Sequence, residues 1–393
     1  MASESVFDDR EFQQIRETVA SAGADATCTA LVEIFLAKKR YHELFDTRLL
    51  QTRQRLGLPI AGNSDLEDIP EPQRSEVEEG YLAACREVGK MLLDDGEIRT
   101  AWMYLRPAGE TELMRAALER IEPDEANTEA IVEAALYEGL HIERGFRLVL
   151  EHYGTCNAIT TYESALHGRK PEEQQLVAGM LVEWLHKELL ENLSAELESD
   201  DRPPNEAGRI RNLVAGKEEM FGEYTTHIDT SHLSSVVRFA RIVEDKSQLA
   251  LALDLTEYGA RLHKNLQQEH DPPFSDYYAN HRLFFAAQIG QDVDQAVEHF
   301  RAEAEKSEVE VETTMAVEVY IVLLARIGRH REAIEATATL IPPDIQTTGF
   351  APPLAELARA AGDYRRHLEV CRERGDLLGF ALGEMEASRQ VSS

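Results

Sequence analysis

The amino-acid sequence predicts an all-α protein built from consecutive helix pairs. Apolar residues recur at helical spacing through most of the chain, and strand-like alternation is confined to residues 309–313, where valine alternates with glutamate. Near the C-terminus, Gly328 and Gly362 stand 34 residues apart, each between an apolar, alanine-containing stretch and a more polar one. A glycine at such a point ends one helix in the left-handed conformation and lets the next helix fold back against it.

The two matching stretches are residues 323–334 and 357–368, and a weaker copy begins at residue 283, with Ala296 and Phe300 four residues apart after its glycine. A period of 34 with a glycine turn resembles the tetratricopeptide repeat family, and the resemblance covers about residues 277–393. It implies a right-handed α-solenoid of stacked antiparallel helix pairs. It also implies a concave groove that binds another protein or a peptide, and scaffolding rather than catalysis.

The remaining helices are predicted from periodicity that is interrupted by proline, glycine and polar turn residues. Residues 11–58 contain two helices, the first with Leu31, Ile34 and Phe35 on one face, and the turn-rich segment 59–72 ends them. Further helices are predicted, in chain order, over residues 73–94, 98–104, 112–121, 128–138, 142–153, 158–166, 171–199 and 231–243. The prolines at 272 and 273 mark a break before the clearest repeats.

One acidic, proline-containing segment divides the predicted chain. Residues 196–205 read ELESDDRPPN, a run that ends any helix reaching it. The predicted organisation is therefore an N-terminal helical domain with degenerate helix pairs over residues 1–198, a linker over 199–208, and a C-terminal repeat domain over 209–393.

Composition limits the function. The chain has 41 basic and 72 acidic residues, a net charge of −31, which argues against nucleic-acid binding and against adsorption to anionic membranes. The acidic excess favours a basic partner, or it is simply a solvated surface. The four cysteines, Cys28, Cys85, Cys156 and Cys371, lie far apart, as is usual in a reducing compartment. With no secretory signal pattern and no run of 18 apolar residues, the sequence predicts a cytoplasmic protein.

A short histidine-containing segment is the first candidate for chemistry. His227, Asp229 and His232 lie within six residues, and imidazole nitrogen and carboxylate oxygen are ligands that zinc and similar divalent metals accept. This set would support a metal-dependent, hydrolase-like enzyme. Under the alternative interpretation, Asp229 or Ser231 is the N-cap of the following helix and both histidines are polar surface residues.

A second set lies earlier in the chain. His141 and His152 are eleven residues apart, which places them on one face of an unbroken helix, and Cys156 follows four residues after His152. The two histidines could add to the metal set, and a cysteine–histidine pair could form a thiolate nucleophile. Alternatively, Cys156 packs as a small apolar residue.

A third set suits partner binding. Helical-repeat proteins hold extended peptides with asparagine, arginine and tyrosine side chains on a concave face. The residues of this kind at the start of the best repeats are Tyr277, Asn280, His281 and Arg282. Two phenylalanines that follow, Phe284 and Phe285, are predicted to form the core between helices. Alternatively, the polar members of the set are simply solvated.

Two functions follow from the sequence. The first is a cytoplasmic scaffold or adaptor that needs no cofactor, binds a protein or peptide, basic in character, through its groove, and can also pair with itself. The second is an enzyme that uses a divalent metal such as zinc at His227, Asp229 and His232. Metal analysis of the purified protein distinguishes them.

Overall fold

The computed structural model of the chain describes residues 7–60, 66–197, 205–268, 270–307 and 313–391. The fold is 73% helical, and no strand occurs in these ranges. The all-α prediction is therefore confirmed. Of the strand-like segment at 309–313, only Thr313 belongs to the described residues.

Eighteen α-helices are present among the described residues, together with a π-helical turn at Glu133–Tyr137. The first seven helices are α1 Asp9–Ala37, α2 Tyr41–Arg55, α3 Gln73–Asp94, α4 Ile98–Leu105, α5 Thr111–Arg120, α6 Thr128–Val132 and α7 Ile142–Ala165. The next six are α8 Pro171–Glu196, α9 Arg209–Val214, α10 Thr230–Phe239, α11 Lys246–Gly259, α12 Tyr277–Gln288 and α13 Val293–Lys306. The last five are α14 Met315–Arg326, α15 His330–Leu340, α16 Leu354–Ala361, α17 Arg365–Glu373 and α18 Leu377–Val391.

The chain folds into two compact units, Met1–His152 and Tyr153–Ser393. The division falls inside α7, next to Gly154, whose φ of 76° and ψ of 177° interrupt the helix. The acidic segment predicted as a linker, 199–208, lies instead within the second unit. Residues 198–204 are outside the described ranges, and the helices on either side of them, α8 and α9, pack on one another.

In the first unit, each of the helices α1 to α4 packs against the next one in the chain. Helix α1 begins with a capping box: the Asp8 side chain accepts from the Glu11 amide, and the Glu11 side chain accepts from the Asp8 amide. Close packing of α3 on α4 requires Gly89, because a Cβ there would lie 2.6 Å from Cγ of Leu105. Local capping and small residues therefore determine where these helices start and how closely they approach.

Helix α1 is the one helix in the described ranges whose length and apolar composition would allow it to cross a membrane. Its most apolar 18-residue window has a mean hydropathy of 1.4 and is 22% buried within the protein. At Gly23 the backbone leaves the helical conformation, with φ 79° and ψ −169°. The reversal brings Lys38 to 3.0 Å from Glu11, so the two parts lie side by side. Each part is shorter than the roughly 20 residues that a bilayer crossing needs.

In the second unit, α8 packs against α9, α10 and α11. Helix α8 starts at Pro171, the first-turn position where the missing amide donor has no helical acceptor to lose. Its buried residues recur along the whole length of the helix, from Val177 to Ser194. From α11 to α18, each helix packs against its successor in sequence.

Three glycines with positive φ stand in turns between consecutive helices in this part of the second unit. Gly328, with φ 81°, separates α14 from α15, and Gly362, with φ 61°, is the left-handed C-cap of α16. Gly290, with φ 84°, plays the same part between α12 and α13. Packing between α12 and α14 and between α15 and α17 shows that alternate helices also meet.

Candidate functional site

Helix α14 is buried around its whole circumference. Nine consecutive residues, 316–324, are buried. A helix of this composition needs protein on every side, and α14 packs against α12, α13 and α15. It nevertheless carries two charged side chains, Glu318 and Arg326, whose partners shape the surface near its C-terminal end.

Arg326 is bonded mainly to backbone carbonyl groups. Its Nη1 donates to the carbonyl oxygen of Arg241 at 2.6 Å and to the side-chain oxygen of Gln288 at 3.1 Å. Its Nη2 donates to the carbonyl of Ile242 at 3.2 Å. Burial lowers the pKa of Arg326 to about 10, and Glu244, 3.8 Å away, opposes this shift. The guanidinium thus ties the segment between α10 and α11 to the end of α14.

Glu318 is fully buried and holds the loop between α15 and α16. Its carboxylate accepts from the amide of Thr348 at 2.7 Å, from the amide of Phe350 at 2.8 Å and from the amide of Ala351 at 3.1 Å. The Thr314 hydroxyl also donates to it. Burial alone would raise the pKa of Glu318, but these donors hold it below its ordinary value. The loop is therefore fixed across the face of α14.

A cleft of about 480 Å³ opens between four segments, three of which are held together by these bonds. They are the start of α8, the segment after α10, the last turn of α14 and the loop before α16. Its apolar wall is formed by six residues: Pro171, Ile242, Val322, Ala325, Phe350 and Pro352. The volume is within the range of sites that bind small molecules or single side chains.

The polar rim of this α14 cleft contains Gln174, Gln175 and Glu244. The amide of Gln175 donates to Oε1 of Glu244 at 3.1 Å, and the Glu244 side chain is 60% exposed. The guanidinium of Arg326 is already bonded to main-chain oxygens. Glu244 is thus the charged group that the cleft presents to a ligand, and it favours a cationic or hydrogen-bond-donating group there.

Two of the four side chains predicted to contact a partner lie inside the helix stack. Tyr277 is 3% exposed and donates its hydroxyl to the carbonyl of Ser234, and burial raises its pKa to about 12. His281 has no exposed surface. Their spacing of four matches that of the buried aromatic residue Phe285, which places all three on one face of α12.

The other two predicted side chains are partly exposed and already paired. Asn280 donates its side-chain amide to the carbonyl of Pro273 at 3.1 Å. Arg282 lies 3.0 Å from Asp292 and 3.8 Å from Glu257. These three contacts connect α12 to the segment before it, to the residue that precedes α13, and to α11.

The buried His281 is hydrogen-bonded to Arg241, a residue that the sequence did not predict as part of a site. Its Nε donates to Nε2 of His281 at 2.7 Å, while Nδ1 of the same ring lies 2.6 Å from the carbonyl of Tyr277. This pattern requires a neutral imidazole with its proton on Nδ1. Burial and the neighbouring Arg241 charge hold the pKa of His281 well below its ordinary value. The guanidinium itself stacks over Phe274, 4.0 Å from the ring centre.

In the predicted metal set, Asp229 has the capping role. It is the N-cap of α10, where Oδ1 accepts from the amide of Ser231 at 2.8 Å and from that of His232 at 3.3 Å. The Ser231 hydroxyl also donates to Oδ1. All three bonds lower the pKa of Asp229, and the bond from the hydroxyl lowers it most. The N-cap interpretation of Asp229 is confirmed.

His227 is buried, unlike a surface residue, and makes contacts of its own. Its Nδ1 lies 2.9 Å from the hydroxyl of Tyr258. Its Nε2 lies 2.8 Å from a carboxylate oxygen of Glu196, at an angle that gives no hydrogen bond. Burial raises the pKa of Tyr258 above its ordinary value. His227 thus joins the end of α8 to α11.

The earlier histidine set is distributed around α7. Nδ1 of His141 accepts from the amide of Arg144 at 3.4 Å in the first turn of that helix, and its Nε2 lies 3.6 Å from Glu119. His152 and Cys156 are exposed and stand on either side of the break at Gly154. Within the described ranges, no three His, Cys, Asp or Glu side chains come together in a way that could hold a metal ion.

Comparisons with known proteins add no relative. No protein-family model, curated protein or solved structure matches the chain. The class of protein is thus defined by its own fold, an all-α chain of two compact units, and the α14 cleft is its candidate site.

Proposed function

We propose that this protein is a helical-repeat scaffold, similar in arrangement to tetratricopeptide repeats, that binds a peptide segment of a partner protein in the α14 cleft. The proposal is supported by the order of packing from α11 to α18, in which each helix follows its neighbour and the turn glycines recur. Stacks of this kind leave an extended surface for a partner.

The observation that carries the proposal is the α14 cleft itself. It combines an apolar wall that includes Val322, Ala325 and Phe350 with a rim on which Glu244 is exposed. An apolar side chain of a peptide would fill the cleft, and a lysine or arginine next to it would reach Glu244. The excess of acidic residues would speed the approach of such a basic segment and make association sensitive to salt.

The loop before α16 supports the same proposal, because it is held in place before any ligand arrives. Its backbone amides at 348, 350 and 351 all donate to Glu318. A preformed wall lowers the conformational entropy that a ligand must remove on binding.

The experiment that tests this function is a selection of peptides from a random display library on the purified full-length chain. We expect the enriched peptides to share an apolar residue beside a basic one. Their affinity is then measured by fluorescence anisotropy with the wild-type protein and with Ala325→Arg, which fills the cleft. We expect Ala325→Arg to weaken binding by at least about tenfold, or roughly 1.4 kcal/mol.

A matched control is Ala387→Arg, the same substitution in the groove between α17 and α18, which has a separate volume of about 700 Å³. This variant should bind the selected peptides as the wild type does. Glu244→Lys should weaken peptides with a basic residue more than peptides without one. Equal affinity for wild type and Ala325→Arg would contradict the proposed site.

A further inference from the structure

Arg241 is the most unusual charged residue of the second unit. It is largely buried, in the short 3₁₀ turn Ala240–Ile242 after α10. Its Nε is bonded to His281, and its planar group lies against the face of Phe274. Neither terminal nitrogen has a hydrogen-bond partner among the described residues, and neither is sealed from solvent.

No carboxylate of the described chain lies within 4 Å of Arg241. The charge of Arg238 also acts on Arg241, and Arg238 is itself paired with Glu163 at 2.6 Å. Burial and then the charges of Arg241 and Arg238 lower the pKa of His270, and the neighbouring Asp271 opposes this shift. Arg241 is thus an unpaired positive charge within a chain whose net charge is −31.

A buried cation without a counter-ion is costly, because burial removes hydration that only a nearby negative charge or good acceptors restore. The stacking on Phe274 and the bond to His281 restore part of this stabilisation. They leave the outer edge of the guanidinium, with its two terminal nitrogens, unused. That edge has the fork geometry that binds two oxygens of one oxyanion.

We propose that Arg241 is a binding site for a carboxylate group. One unpaired positive charge matches one carboxylate, whereas a phosphate dianion would keep one negative charge unpaired. The ring of His270, stacked on Tyr277 with 4.4 Å between ring centres, forms a flat neighbouring wall. Arg241 does not line the α14 cleft, so this proposal stands independently of the proposed function.

The test titrates the full-length protein with sodium acetate at constant ionic strength, with chloride as the replaced anion. The readout is the ¹⁵N–¹H signal of the Arg241 Nε group, which is identified by its loss in Arg241→Met. A ligand of four heavy atoms cannot bind with a Kd tighter than about 40 μM, and a single arginine fork that solvent reaches should bind it with a Kd of about 1 to 10 mM. We therefore expect a saturable shift in that range, and an increase in melting temperature with acetate.

Two probes distinguish the source of the carboxylate. N-acetylglutamate amide represents an acidic side chain of a peptide, and N-acetylglutamine amide is its uncharged control. Tighter binding of the glutamate probe than of acetate would identify a protein ligand, and equal binding would identify a free organic acid. Binding of the glutamine probe as strong as that of the glutamate probe would contradict carboxylate recognition.

Three variants complete the experiment. Arg241→Met should abolish the acetate-dependent rise in melting temperature, and Arg241→Lys, which keeps the charge but lacks the fork, should weaken acetate by at least about tenfold. Arg282→Met, a paired arginine in the same unit, should respond to acetate as the wild type does. No saturable response in the wild type, or an unchanged response in Arg241→Met and Arg241→Lys, would overturn the proposal.

Discussion

Two buried arginines of the second unit are stabilised in different ways. Arg326 donates to three backbone carbonyls and to the side chain of Gln288, whereas Arg241 has one imidazole nitrogen and one aromatic face. Burial lowers the pKa of both to about 10. Backbone carbonyls therefore stabilise the charge of Arg326, whereas the charge of Arg241 has no such acceptors. This difference supports the proposal that Arg241 binds a ligand.

Removing Arg326 should have the largest effect on stability. Arg326→Met leaves three carbonyls and the Gln288 oxygen without their donor at the base of the α14 cleft. We expect a loss of about 3 kcal/mol in the free energy of unfolding. Urea denaturation followed by circular dichroism measures it. A loss below about 1 kcal/mol would mean that these bonds do not stabilise the folded chain.

Glu318 is the anionic counterpart of Arg326, because backbone amides surround it. Glu318→Gln keeps the shape but places an amide group against donors from residues 348–351. We expect a loss of about 2 kcal/mol, and faster proteolysis of the loop between α15 and α16. Glu356→Gln, an exposed carboxylate of α16, is the control and should leave both measurements unchanged.

The stabilising effect of Glu318 should depend on pH. Its folded pKa is below the ordinary value, so its contribution is present above the unfolded pKa of about 4.3 and is lost as pH falls through the folded pKa. The stability difference between wild type and Glu318→Gln should therefore be constant from pH 5 to 7 and shrink in acid. A difference that grows as pH falls below about 4.3 would contradict the sign of this shift.

Asp229 also accepts from backbone amides, but at a helix end, and its loss should reduce the free energy of unfolding by less than the loss of Glu318. Asp229→Ala removes the acceptor for the amides of Ser231 and His232. We expect a loss of about 1 kcal/mol, which is usual for an N-cap. Because Asp229 is exposed, the result separates the value of a capping bond from that of a buried charge. A loss of stability as large as that of Glu318→Gln would contradict this difference between an exposed capping carboxylate and a buried one.

Replacing Arg241 should have the smallest effect on stability. Arg241→Met removes an uncompensated charge while filling similar space against Phe274, and it leaves His281 without one donor. The two effects oppose each other, so we expect a change within about 1 kcal/mol of wild type. If Arg241→Met is destabilised as strongly as Arg326→Met, the contrast between the two arginines is wrong.

The sequence predicted those features that depend on nearby residues. The all-α class, the glycine turns at 328 and 362 and the capping alternative for Asp229 all follow from interactions within a few residues. The burial of His281 had a local signal too, because Tyr277, His281 and Phe285 recur every four residues.

The α14 cleft could not be predicted in this way, since its walls come from distant parts of the chain. Arg326 bonds to the carbonyl of Arg241, 85 residues earlier, and the cleft also includes Gln174 and Phe350. A charged residue at the end of an otherwise apolar helix signals buried partners, but it does not identify them. The prediction that His227 and His232 share one site has the same weakness. It depends on their closeness in the sequence, which does not determine the direction of two side chains.

Hydrogen–deuterium exchange of the full-length chain, with and without a selected peptide, tests the proposed binding site most directly. We predict slower exchange confined to the segments that form the α14 cleft: residues 171–175, 242–244, 322–326 and 349–352. Ala325→Arg should show no such protection. Protection that appears instead along the groove of α17 and α18, or that persists unchanged in Ala325→Arg, would contradict the assignment of the peptide-binding site to the α14 cleft.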